Sequence, residues 1–241
     1  MKTWFHGLDV LLRHHRAPTA EPGLSLRFLL VSIVVLGAAY GLFMGAFAIR
    51  IGGIAGAPQL LASTFKLPAL FLISGAITLP SLYVFSTIAG SRLMMGDVAR
   101  LMLTTSAATL AIAASLGPIL GFFTLSTSSY PFIVLLNIAF LGLAGCIGVT
   151  FLVRSVARAY RPLPGAASSE SVVAVSTRAA ANDFVLFIWL LVYAVVGTQT
   201  GWLLRPFIGA PDAPFQIWRE SSGSFVEATV RTLLRFVEQG M

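Results

Sequence analysis

The chain reads as an all-α polytopic membrane protein: a bundle of five transmembrane helices with amphipathic interfacial helices at both termini. Three features carry that reading. Five continuous apolar stretches each approach the about 20 residues that a helix needs to cross the bilayer core. Only 10% of the 241 residues are charged and 57% are hydrophobic, against about 25% charged in an ordinary soluble domain. The apolar runs do not alternate with polar residues, so closed barrels, the other spanning solution, are set aside.

Residues 1–27 form a polar lead. Trp4, Leu8, Leu11 and Leu12 share one helical face, which predicts a short interfacial helix anchored by a tryptophan. Span one is expected over 28–49. It is too long for the apolar region of about 7–15 residues of a signal peptide and is read as uncleaved. Arg50 to Lys66 is expected as a connecting segment, with Pro58 at a first helical position and Leu60, Leu61, Thr64 and Phe65 along the headgroup plane.

Span two is expected over 67–89 with Pro80 in its middle. Proline removes one backbone hydrogen bond and crowds the carbonyl of Ala76, so a kink is expected there. Ser74, Thr78 and Ser81 are near enough to re-satisfy freed backbone groups. A short loop carries Arg92, Asp97 and Arg100. Span three, over 101–123, is expected to loosen near Gly117-Pro118. A Ser- and Thr-rich turn leads to span four over 131–153, and a Pro-, Gly- and Ser-containing linker leads to span five over 184–204.

The tail, 205–241, begins with a segment of three prolines, aromatics and both charge signs at the membrane edge. That composition suits a cap docked over the bundle mouth, a binding surface, or an interfacial belt anchored by Trp202 and Trp218. Ser224 and Glu227 then form a capping box. Val226, Val230, Leu233, Leu234 and Val237 follow as an apolar stripe at helical spacing.

Net charge is +7. With an odd number of spans the two ends lie on opposite sides. The side holding the lead carries 10 Lys and Arg, and the other carries 6. The positive-inside rule therefore puts the N-terminus in the cytoplasm and the tail outside, at a bacterial inner membrane. No basic patch with interleaved aromatics occurs, so nucleic acid is not an expected partner. Cys146 is the single cysteine, which rules out an internal disulfide.

Gly37, Gly41 and Gly45 repeat every four residues and make a strip for close helix packing, against this chain or another. Gly197 and Gly201 repeat the theme in span five. Asn137 and Gln199 are the strongest polar groups within spans. Both are expected to turn inward, to hydrogen-bond between helices or to meet a solute. Arg154, Arg158 and Arg161 suit lipid headgroups at the end of span four. Phe207, Phe215, Trp218, Val230 and Leu234 are the candidate partner surface. No Lys, His, Asp or Glu falls inside an expected span, which removes the bases and acids of intramembrane proteolysis and of most proton-coupled transport. No nucleotide or HExxH motif occurs. No catalytic, cofactor or metal residue is assigned, and no cofactor is expected.

Lys66-Leu67-Pro68 at the entry to span two, the second proline Pro80, the short later turns and the five-pass layout resemble the Yip1-type five-pass family. The block Leu203-Leu204-Arg205-Pro206-Phe207 resembles uncharacterised bacterial multi-pass membrane proteins. The Yip1-type resemblance implies a role in membrane organisation and trafficking through partners, although the acidic N-terminal motif of that family is absent. The expected function is a non-catalytic membrane subunit whose partners are lipid and other membrane subunits or further copies of itself. The alternative is a channel or carrier for a neutral or lipidic solute, lined by Asn137 and Gln199. A third is a lipid-modifying enzyme at the outer face, using Asp212, Arg219 and Glu220.

Overall fold

The structure, a computed structural model, describes residues 7–8, 25–88, 94–159, 172–209, 215–217 and 225–240, with backbone alone for 86, 88, 154–159, 172–187 and 239–240. The described residues are helical apart from short turns and contain no strand. Five long helices run side by side: α1 (Leu26–Gly52), α2 (Ala57–Ile88), α3 (Met95–Ser126), α4 (Tyr130–Ala159) and α5 (Val172–Leu204). A shorter helix, α6 (Phe225–Gly240), lies against α4 and α5. Among the described residues three stretches have the length and apolarity to cross a membrane: Leu26–Phe85, Met95–Ser126 and Tyr130–Val153. Ile188–Leu204 is apolar but shorter.

The first of these stretches is folded double. Helix α1 starts at Ser25, whose hydroxyl accepts from the Phe28 amide at 3.2 Å. It ends at Gly53, which has φ 59° and donates its amide to the Ile49 carbonyl. That left-handed backbone suits glycine because it has no Cβ to clash. A 3-10 turn over Gly53–Gly56 then reverses the chain into α2.

Helices α1 and α2 pack antiparallel along the glycine strip. A Cβ on Gly41 would stand 2.6 Å from the Ser63 carbonyl oxygen and 2.9 Å from Thr64 Cα. On Gly45 it would stand 2.8 Å from Leu60 Cα, and on Gly37 it would stand 3.0 Å from Pro68 Cβ. Real Cβ atoms do not approach this closely, so the partner of the strip is α2 of the same chain.

Two expectations change here. Helix α2 begins at Ala57 and runs unbroken through Pro68 and Pro80. Residues 57–66 do not lie flat on a headgroup plane; they climb the glycine strip. Lys66 is therefore within a long helix, 7% exposed, between the residues that meet Gly41 and Gly37. That height is the middle of α1. A buried cation stands where the sequence was read as having none. By hydropathy a charge suggests the edge of a span, whereas here the helix is set by the strip.

Helix α3 packs on the other side of α1, with the Phe43 ring seated over Gly117 and Gly121. The Asp97 carboxylate accepts from the Met94 amide at 3.1 Å and places a negative charge at the helix N-terminus. Helix α3 stays helical through Pro118. A three-residue turn over 127–129 leads into α4, where Ile133 donates to the Ser129 carbonyl at 3.2 Å.

One buried cluster joins α1, α2, α3 and α4 through Leu29, Ile33, Tyr40, Phe47, Leu110 and Ile133, among others. A second, at the opposite end from the tail, gathers Leu82, Val98, Leu101, Met102, Leu152 and Trp189. Trp189 of α5 is 1% exposed. Its indole donates to the Thr78 carbonyl at 3.4 Å and its ring stacks on Tyr193 at 5.4 Å. Of the expected N-terminal interfacial helix only Gly7 and Leu8 are described; they are helical and pack near Phe28.

Gly41→Ala forces apart two backbones and is expected to destabilise the chain by about 1–3 kcal/mol, the usual range for overpacking. Gly142→Ala, where an added Cβ meets nothing within 4 Å, is expected to be neutral or stabilising by up to about 1 kcal/mol through helix propensity. Thermal unfolding of the two variants in the same detergent checks the contrast.

Candidate functional site: a strap held by helix α2

The segment that follows α5, described at 205–209 and 215–217, packs against α1 and α2. Gln59, Ser63 and Lys66 fall at i, i+4 and i+7 and so share one face of α2. They hold the main chain of this segment, called the strap. The Gln59 amide donates to the carbonyls of Pro206 at 3.0 Å and Phe207 at 3.1 Å. The Ser63 hydroxyl lies between the Gln59 carbonyl, at 2.8 Å, and the Phe207 carbonyl. The Lys66 ammonium donates to the Pro206 carbonyl at 3.2 Å and the Ile217 carbonyl at 2.5 Å.

Apolar contacts complete the docking. Ile208 is 7% exposed and belongs to the main core. Phe207 packs on the same core. Gly209 lies against Ala48 and Gln59. The Arg205 guanidinium sits over the Trp202 ring at 3.6 Å, a cation–π contact. At 205–209 the segment is docked on the bundle, and Phe207 is a partly buried packing residue there. Phe215 and Ile217 remain exposed, while Asp212, Trp218, Arg219 and Glu220 lie outside the described residues.

Asn137 is buried, and its carbonyl oxygen accepts from the Tyr40 hydroxyl at 2.8 Å. Its amide nitrogen has no partner among the described residues. Gln199 does not join it, contrary to the inward turn expected of both. The inward face of α5 is set by Trp189, Thr200 and Leu204. Gln199 is turned roughly 100° from Thr200, the step of one helical residue, and is exposed. Gly201 touches Leu70, with an added Cβ 3.2 Å away, whereas Gly197 has nothing within 4 Å. The side chains of Arg154 and Arg158, and the whole of Arg161, are outside the described residues.

Helix α6 meets the bundle through Phe225, Ala228, Thr229 and Thr232, which are partly buried. Phe236 lies 6.1 Å from Phe132, ring to ring. The stripe of Val226, Val230, Leu233, Leu234 and Val237 faces away and is exposed. Glu227 pairs with Arg231 one turn on.

Sequence reasoning missed Gln59, Ser63, Lys66 and Tyr40. The first three carry a signal, a polar stripe at i, i+4 and i+7 directly after a proline suited to a helix start. Tyr40 carries another: a phenol deep in an apolar stretch needs a hydrogen-bond partner. No protein family, curated protein or solved structure matches this chain.

Tyr40→Phe leaves the Asn137 oxygen unpaired and is expected to destabilise by about 1–3 kcal/mol; Tyr40→Phe with Asn137→Leu removes both partners and is expected to recover much of the loss. Chemical unfolding in detergent reads the difference. Lys66→Met is expected to speed thermolysin cleavage at Phe207 and Ile208 about tenfold, the equivalent of one charged hydrogen bond at about 1.5 kcal/mol, with α1 to α5 left uncut.

Proposed function

We propose that this chain is a non-catalytic integral membrane subunit that crosses lipid five times and binds partner proteins through its tail. The observation that carries the reading is the orientation of α6. This helix docks on the bundle with a face of small and aromatic residues and leaves its continuous apolar stripe uncovered. Monomeric soluble surfaces rarely expose such contiguous apolar area; it marks a protein or membrane contact. Phe215 and Ile217 extend the exposed apolar surface on the neighbouring strap.

In this reading the N-terminus is cytoplasmic, and the strap enters the bundle from the outer side of a bacterial inner membrane, where α6 also lies. The charge asymmetry between the two sides supports that orientation. The partner-borne roles implied by the Yip1-type resemblance are in keeping with it. The buried Asn137, bonded to Tyr40, and the outward Gln199 do not converge on one place, which favours the subunit reading over a solute path lined by both.

The test is purification of the tagged chain in several gentle detergents, with mass spectrometry of what accompanies it. A membrane partner at defined stoichiometry is expected, and Val230→Glu with Leu234→Glu is expected to release it while the five-helix bundle stays folded. Recovery of the chain without any other protein under every detergent overturns the proposal.

A further inference from the structure

We propose that a second copy of this chain pairs with it through the outward face of α5, about a two-fold axis that brings Gln199 against its own equivalent. The inference rests on the membrane-crossing reading above, and it names the occupant of a different surface from the α6 stripe.

Gln199 is the observation that demands a partner. Its height in the bundle is fixed by its neighbours on α5: Trp189 bonds to Thr78, and Gly201 touches Leu70. Gln199 therefore faces outward between the ends of the apolar zone, opposite the middle of α2. A primary amide with two donors and an acceptor is expensive to leave in hydrocarbon. Other outward polar side chains avoid that expense by turning back on their own helix. Ser115 donates to the Ile112 carbonyl at 2.7 Å, Thr150 to Ile147 at 2.7 Å and Thr198 to Ala194 at 2.7 Å. No such bond is made by Gln199 among the described residues.

The chemistry selects a second copy. An amide carries donor and acceptor together, so two glutamines related by a two-fold axis satisfy each other with a pair of N–H to oxygen bonds. Closed two-fold dimers place the same residue of both chains at the axis. Side-chain amides are established polar glue between membrane helices, and one such residue on an apolar seam also fixes register. The flanks suit a helix-helix seam. Leu191, Val195 and Leu203 are 58%, 54% and 66% exposed and follow at four- and eight-residue steps along the face of Gln199. A Thr or Ser there would have been self-sufficient and would specify nothing.

The experiment uses the full chain with its native cysteine replaced, Cys146→Ser, reconstituted into phosphatidylcholine vesicles at low protein density. Val195→Cys is introduced on the α5 face, and Ile147→Cys, also exposed, on α4 as the control face. Oxidation is expected to give a covalent product of twice the chain mass through position 195 and none through 147. Gln199→Leu is expected to weaken dimerisation roughly three- to thirty-fold, the range for interhelical polar contacts, and Gln199→Asn is expected to weaken it less. Because Gln199 makes no hydrogen bond among the described residues, Gln199→Leu should leave the helical circular dichroism of the monomer unchanged. Equal dimerisation of wild type and Gln199→Leu, cross-linking through 147 instead of 195, or a monomer throughout overturns the inference. Those outcomes leave the α6 partner standing, and loss of the α6 partner leaves this dimer standing, so the two failures are distinguishable.

Discussion

The rest of the bundle depends on the missing side chains of α1. Where Gly37, Gly41 and Gly45 face α2, the two backbones come within the space that a single methyl group would fill. That contact turns a 60-residue apolar stretch into an antiparallel hairpin, with Gly53 and Gly56 making the reversal. It also fixes the rotation of α2. With its glycine-facing side committed, α2 presents Gln59, Ser63 and Lys66 to the strap and Thr78 to α5. Helix α3 repeats the device on the other flank, where Gly117 and Gly121 admit the Phe43 ring. Packing in lipid lacks the water-driven term between helices, so close approach of this kind is a main source of its attraction.

A second theme is how polar groups are answered inside an apolar body. Tyr40 and Asn137 satisfy each other across α1 and α4. Trp189 finds the backbone of α2 beside Pro80, where a helix already lacks one amide. Lys66 is answered by main-chain oxygens of the strap. The strap carbonyls of Pro206 and Ile217 turn the negative ends of their dipoles to its ammonium. The same segment that covers the bundle is thereby the one that lets the lysine stay inside it. Cap and cation are one unit: neither position is reasonable without the other.

The sequence made the apolar helices, the short turn at Thr127 to Ser129 and the amphipathic α6 legible, because each follows from periodicity or composition over many residues. The spacing of the α1 glycines was equally visible, but their partner was not, since spacing describes one helix and contact needs two. Lys66 was misplaced for a definite reason: in hydropathy reading a charge marks an end, and only the strap shows why this one does not. Gln199 was expected inside on the general rule that amides avoid lipid. The rule holds for a complete assembly, and a single chain need not obey it. For α6 the periodicity found the stripe correctly and said nothing of which side docks, since Thr229 and Thr232 have no apolar signal to offer.

The grip of α2 on the strap has a consequence for how this protein can change over generations. The strap oxygens described as acceptors for Gln59, Ser63 and Lys66, those of Pro206, Phe207 and Ile217, are peptide oxygens, which all twenty residue types carry alike. Substitutions at Pro206, Phe207 and Ile217 therefore leave these bonds in place wherever the path of the chain is kept, whereas an insertion or deletion beside them shifts the oxygens. Divergence in lettering with constancy in length is the pattern such a clasp permits, and it leaves the outer side of the strap free to be rewritten for a new neighbour.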